Sequence, residues 1–154
     1  MMGYPELAQL LRRRGETRGH GAHAQMRELF SRMVFNILMD NTDDHEKNHA
    51  LLVTDSGALA LSPAFDVLPS GQALGYQQMR VGSAMHDATL ANALSEHPLF
   101  ALTAKEAAEQ VRQVAQVVSG WKTHFAGVGV SPSDIASLEA QIDRPFLRQQ
   151  RESN

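Results

Sequence analysis

The sequence predicts a mainly α domain with one small β-hairpin, and three observations carry that prediction. Met26, Leu29, Phe30, Met33, Val34, Ile37 and Leu38 recur at helical spacing between residues 22 and 40. Two short apolar runs flank the turn sequence Thr54-Asp55-Ser56-Gly57. After residue 87 apolar side chains again return every three or four positions, behind recognisable helix starts. With 154 residues and 43% of them apolar, the chain can bury one core, so a single domain over 1–154 is expected. No internal repeat or low-complexity tract divides it.

Each element has its own reason. Leu7, Leu10 and Leu11 behind Pro5 predict a short amphipathic helix over 5–14, closed by Arg12-Arg13-Arg14, whose cations suit the negative end of a helix dipole. Gly15 to Gly21 reads as a polar loop. The long helix of 22–40 runs into Asp40-Asn41-Thr42-Asp43-Asp44, which stops it without glycine or proline. Residues 50–61 form the hairpin, and Ser62-Pro63 with Pro69-Ser70-Gly71 brackets Ala64-Phe65-Asp66-Val67-Leu68, placing Asp66 in a constrained connection. Residues 71–85 are irregular or short strand. Helices follow over 87–95, over 103–125 behind the Thr103-x-x-Glu106 capping box, and over 131–149 behind Ser131-Pro132. Val111, Val114, Ala115, Val118 and Trp121, with Ile135, Leu138, Ile142 and Leu147, are their expected core faces.

Composition excludes several classes of function. Seventeen acids against fourteen bases give a net charge of −3, so no global positive field exists to hold nucleic acid, and no direct nucleic-acid contact is expected. The absence of cysteine removes disulfides, thiol nucleophiles and cysteine-ligated metals, and fits a reducing compartment. No apolar run approaches the roughly 20 residues of a membrane span, and no basic-then-apolar leader opens the chain. A cytoplasmic protein that does not enter the membrane is therefore expected.

The chemistry is concentrated in Asn41-Thr42-Asp43-Asp44-His45-Glu46-Lys47-Asn48-His49. One reading takes His45-Glu46-Lys47-Asn48-His49 as H-E-x-x-H, the zinc-peptidase pattern in which a helix sets two imidazoles one turn apart. Against it, the motif follows an acidic stretch and runs straight into a strand, leaving barely one helical turn, and no downstream residue offers a third ligand in the usual surroundings. The other reading notes that Asp43 and Asn48 have the Asp-to-Asn spacing of the protein-kinase catalytic loop. There an aspartate accepts the proton of a substrate hydroxyl while an amide oxygen ligates magnesium on the nucleotide phosphates. That loop should follow a buried helix, precede a hairpin, and be followed by a second metal-binding aspartate, which Asp66 in Phe65-Asp66-Val67 supplies. Lys47 is placed to meet a phosphate, and His45 to bond within the loop or near the nucleotide. Asn41, Thr42 and Asp44 read as helix-end and turn residues. His20, His23, His86, His97 and His124 are scattered and read as ordinary surface or core histidines.

The stretch from Phe35 to Asn48, followed by Leu61-Ser62-Pro63-Ala64-Phe65-Asp66-Val67-Leu68-Pro69, resembles the C-terminal domain of the HipA family of bacterial Ser/Thr kinase toxins. The resemblance rests on the loop Asn41-Thr42-Asp43-Asp44-His45-Glu46-Lys47-Asn48 and a later S/T-P-x-Y/F-D segment at matching separation. It implies a protein-kinase-like C-terminal lobe in which Asp43 is the catalytic base, Asn48 and Asp66 bind Mg2+, and His45, Lys47, Asn48 and Asp66 face ATP. It also implies phosphorylation of a protein serine or threonine, in known cases on the translation apparatus, and a HipB-like helix-turn-helix antitoxin as partner. Such kinases carry an N-terminal lobe with a phosphate loop and a strand lysine. Here Lys47 lies in the catalytic loop and Lys105 and Lys122 on late helices, so that lobe is expected to be absent and an isolated C-terminal lobe to act weakly, if at all, without a partner lobe. A non-catalytic antitoxin-binding module and the zinc peptidase stand as the two alternatives.

Overall fold

Helix α1 spans Tyr4–Arg14 and begins where the backbone N–H of Gly3 donates to Glu6 Oε2 at 3.0 Å, with Pro5 in the first turn. The computed structural model describes residues 2–18 and 21–154; His20, one of the scattered histidines, lies outside them. Helix α2, Gly21–Leu38, follows and buries the predicted stripe against α1. Strands β1 (Leu51–Val53) and β2 (Leu59–Leu61) form the expected hairpin, antiparallel with Leu51 opposite Leu61 and Val53 opposite Leu59. Gly57 takes φ +78° in the turn, a conformation that side-chain-bearing residues avoid.

The later helices are shorter than the sequence predicts. The expected helix over 87–95 is α3, Leu90–Ser95, started by Thr89, whose hydroxyl accepts from Asn92 N at 3.1 Å. A 3-10 turn over His97–Phe100, unforeseen, carries Phe100 into the core, where its ring meets Phe30 edge-on at 5.3 Å. The expected helix over 103–125 is two helices, α4 (Ala104–Ser119) and α5 (Trp121–Gly127), because Gly120 interrupts it. The expected helix over 131–149 is likewise α6 (Pro132–Ile142) and α7 (Pro145–Glu152). Proline at 145 pushes Arg144 out of helical geometry, to φ −57° and ψ 149°.

One core joins these parts. Leu7 and Leu11 of α1, Phe30 and Met33 of α2 and Val111 of α4 are all at most 3% exposed. Each such side chain contributes about 1.5–3 kcal/mol through burial. The hairpin is fastened to this core rather than free. Gln25 on α2 accepts from Leu61 N at 2.7 Å, and Glu16 N, just past α1, donates to Leu59 O at 2.8 Å. The hairpin that follows the α2–β1 loop is thereby fixed to α2 and to the segment after α1. No helix of the described residues is long and apolar enough to cross a membrane.

Candidate functional site

The end of α2 shapes the loop that follows. Asp40 adopts a left-handed backbone, φ +57°. Its N–H bonds Ile37 O at 3.3 Å while Asn41 N bonds Asn36 O at 2.9 Å. This is the helix stop usually built on glycine, here built on aspartate, which tolerates the conformation better than most residues. Asp40, Asn41, Thr42 and Asp44 are each at most 2% exposed, so the acidic stretch read as helix end and turn is mostly interior. Most of its polar groups are accordingly paired, although Asn41 Oδ1 is left without a partner. Asp40 O accepts from both N and Oγ of Ser70, at 3.0 and 2.8 Å, and Ser70 Oγ lies 2.5 Å from Thr42 Oγ1. Arg144 Nη1 meets Asp40 Oδ2 at 2.8 Å.

Asp44 is the centre of a second set of bonds. Its Oδ1 lies 2.8 Å from His49 Nε2, and its Oδ2 accepts a short hydrogen bond from the Tyr4 hydroxyl of α1. Tyr4 OH in turn accepts from Asn36 Nδ2 at 3.0 Å, and Asn36 Oδ1 accepts from Asn41 Nδ2 at 3.1 Å. The Tyr4 and His49 rings meet edge to face at 5.3 Å. Burial, reinforced by the Asp44 carboxylate, pushes the Tyr4 hydroxyl well above its ordinary range, so it stays a donor. Tyr4 and Asn36 did not stand out in the sequence, Asp44 read only as a turn residue, and His49 entered only as a ligand in the zinc reading. The one available signal was Asn36, a polar residue set among the apolar positions of α2.

The five predicted site residues behave differently from their neighbours. Asp43, Lys47 and Asp66 are exposed, and His45 and Asn48 half-buried. Among the described residues none of their side chains has a protein hydrogen-bond or ion-pair partner. His45 Nδ1 is moreover buried and unpaired. Residues 41–48 thus alternate between side chains spent on the fold and side chains left over. Asp66 sits at φ +54° within the connection the prolines predicted. That connection is tethered at both ends: Arg32 Nη1 donates to Ser62 O at 3.0 Å, and Ser70 is bound to Asp40 as above.

Three of the five site residues line recesses, Asn48 one and His45 and Lys47 another, while Asp43 and Asp66 line neither. Asn48 lines a groove of about 530 Å³ together with Phe65 and Val67, the residues flanking Asp66, and with Phe35, Val114 and Val117 of α2 and α4. His45 and Lys47 line a smaller recess of about 210 Å³ with Met2, Gln78 and Met79. The zinc-peptidase geometry is not formed. Glu46–Asn48 is a single 3-10 turn, and His45 and His49 flank it in extended backbone instead of sharing a helix face. His49 Nε2 is already engaged by Asp44, and among the described residues no three His, Cys, Asp or Glu side chains converge to hold a metal.

Comparison with known proteins agrees with this architecture. Residues 1–121 match the family model of the HipA-like C-terminal domain. The fold is similar to HipA in the Shewanella oneidensis MR-1 toxin–antitoxin complex of HipA, HipB and operator DNA, with a TM-score of 0.72 at 17% identity over 98% of this chain. The chain spans 35% of the length of that one. No curated protein matches it. The family match covers the loop, the hairpin, Asp66 and the helices that carry them, and on it the chain belongs to the family of HipA-like C-terminal domains.

Proposed function

We propose that this chain is the catalytic-loop lobe of a HipA-like serine/threonine protein kinase of toxin–antitoxin type, acting on Mg-ATP and a protein hydroxyl. The observation that carries the reading is the division of the loop. The side chains at the kinase-like positions Asp43, His45, Lys47, Asn48 and Asp66 have no partner among the described residues, whereas Asp40, Asn41, Thr42 and Asp44 between and before them are buried and bonded. That contrast between side chains bonded to the fold and side chains without a protein partner supports a ligand-binding role for the latter.

The donor set fits a magnesium nucleotide. Asn48 and Asp66 offer one amide and one carboxylate from two loops, which suits a hard cation that takes its remaining oxygens from phosphates and water. Magnesium, when bound, neutralises phosphate charge and holds the transferable group in line. Asp43 accepts the proton of the substrate serine or threonine as its oxygen bonds to the terminal phosphorus, the bond to the bridging oxygen breaks, and ADP leaves. In this reading Lys47 and the unpaired His45 nitrogen would meet negative charge on the phosphates. A HipB-like antitoxin is the expected partner, and a phosphate-binding lobe, on the same or another polypeptide, would complete the nucleotide site. The protein substrate belongs by analogy to the translation apparatus.

Isothermal titration calorimetry of the chain with Mg-ATP tests the proposal, repeated with Asp66→Ala. Magnesium-dependent binding that the substitution abolishes supports a kinase lobe. The absence of binding, with or without an added N-terminal lobe, overturns it in favour of a non-catalytic antitoxin-binding module.

A further inference from the structure

The geometry points to Asp44 as a positioning residue: bridging Tyr4 on α1 and His49 ahead of β1, it fixes the spacing between Asp43 and Asn48 through two carboxylate oxygens that are both already engaged. The inference rests on the kinase-lobe reading for what is positioned, and on contacts within this chain for how. Asp43 and Asn48 lie on a loop that has only a single 3-10 turn, Glu46–Asn48, to stiffen it. One turn closed by Asn48 N to His45 O at 2.9 Å does not hold its place by local bonds alone. Something outside the loop must do so, and Asp44 has the needed reach.

Its two oxygens face in different directions. Oδ2 takes the hydroxyl of Tyr4, a side chain fully buried in the core. Tyr4 is itself fixed, because its N–H donates to Arg80 O at 3.0 Å and its hydroxyl accepts from Asn36 Nδ2 of α2. Oδ1 takes His49 Nε2 at 2.8 Å. A carboxylate only accepts, so both partners donate to it, and the directed series Asn41 to Asn36 to Tyr4 to Asp44, met by His49 from the other side, satisfies each donor once. Asp44 follows Asp43 directly and His49 follows Asn48 directly. Tying 44 to 49 therefore closes a ring that contains 48 and begins directly after 43, and tying it to Tyr4 sets that ring against α1 and α2. Leaving a buried donor of this series unpaired populates displaced loop conformers.

Amide hydrogen exchange on the chain tests this. The Asn48 amide reports the loop, and the Ala107 amide, bonded to Thr103 O at 2.9 Å at the start of α4, reports the rest of the fold. Asp44→Ala should speed exchange at Asn48 on the order of ten-fold or more while leaving Ala107 unchanged. Asp44→Asn, which keeps an acceptor for Tyr4 and a polar group opposite His49, should restore most of the protection. Tyr4→Phe keeps the core packing and removes one anchor, so it should give an intermediate rate at Asn48 even if Asp44→Ala does not fold. In the same variants Mg-ATP affinity should fall and recover in parallel with Asn48 protection. Equal acceleration at Asn48 and Ala107, or none at Asn48 in Asp44→Ala and Tyr4→Phe, overturns the assignment. Failure of the parent chain to bind nucleotide refutes the kinase reading alone, and the exchange comparison still decides whether Asp44 holds the loop.

Discussion

Arg144 Nη1 stands 2.8 Å from Asp40 Oδ2 and joins the α6–α7 connection to the residue that ends α2. Asp40 is 1% exposed and in a left-handed conformation, so two costs, desolvation and backbone strain, fall on one residue. The cation that offsets the first lies beyond residue 121, where the family match stops. The last helices thus support the first residue of the candidate loop.

Breaking this pair should be expensive because it strands a buried carboxylate. Arg144→Ala is expected to lower stability by about 3 kcal/mol, or roughly 6–12 °C in Tm for a domain of this size. Asp40→Asn in the same background removes the stranded charge, keeps a side chain that tolerates the left-handed backbone, and should recover much of the loss. Thermal denaturation of the single and double variants followed by circular dichroism checks both.

Glu16 holds the hairpin turn from outside. Its carboxylate accepts from Ser56 Oγ at 2.7 Å, Arg18 N at 3.1 Å and Thr54 Oγ1 at 3.0 Å, and these bonds lower its pKa from 4.5 to about 2. A group whose folded pKa is depressed contributes stability that is present above its unfolded value and lost as pH falls through the folded one. The Glu16 contribution should therefore be full above about pH 5 and gone below about pH 2. Carboxyl NMR titration of Glu16 should give a midpoint near 2, and Ser56→Ala should move it back towards 4.5.

Gly82 sits where no side chain fits. A Cβ there would collide with the backbone oxygen of Asn92 and with Ser95 Oγ, both on α3. The turn is further tied to that helix through Ser83 N to Ser95 Oγ at 2.9 Å and Ala84 N to Asn92 Oδ1 at 2.8 Å. Gly82→Ala should cost about 1–3 kcal/mol through displacement of α3, read as a lower denaturation midpoint in urea with an unchanged slope.

Asp43→Asn separates chemistry from structure. The side chain is exposed and has no partner among the described residues, so stability should stay within about 0.5 kcal/mol of the parent. Mg-ATP affinity should be retained. Phosphate transfer to a protein acceptor, measured with labelled ATP in the presence of a completing lobe, should fall roughly 10²–10⁴-fold.

Local signals made much of this fold legible. The stripe from Met26 to Leu38 and the Thr54–Gly57 turn state their elements directly, since period and turn chemistry act over a few residues. The breaks at Gly120 and Arg144 were signalled too, by a glycine and by the residue before Pro145, but a continuing apolar period masked them. The family match bears out the HipA resemblance read from residues 35–48 and 61–69. What the sequence hid was the support of the site. Tyr4 and Asp44 are 40 positions apart, and Asp40 finds its cation on the connection between the last two helices; neither pairing leaves a local trace. Asp44 therefore read as a turn residue, although its side chain lies in the interior.

The chain enters the fold beside the recess of His45 and Lys47: Met2 lines that recess, and its N–H reaches Glu46 Oε2 at 3.3 Å. Gly3 immediately after it has no room for a Cβ, which fixes the direction of approach. A purification tag or fusion partner joined ahead of Met2 is thus a tethered competitor, present at millimolar effective concentration at the mouth of the recess. Binding assays on such a fusion would report the tag as much as the protein. The exposed residues Ser153 and Asn154, just past α7, offer an attachment point instead.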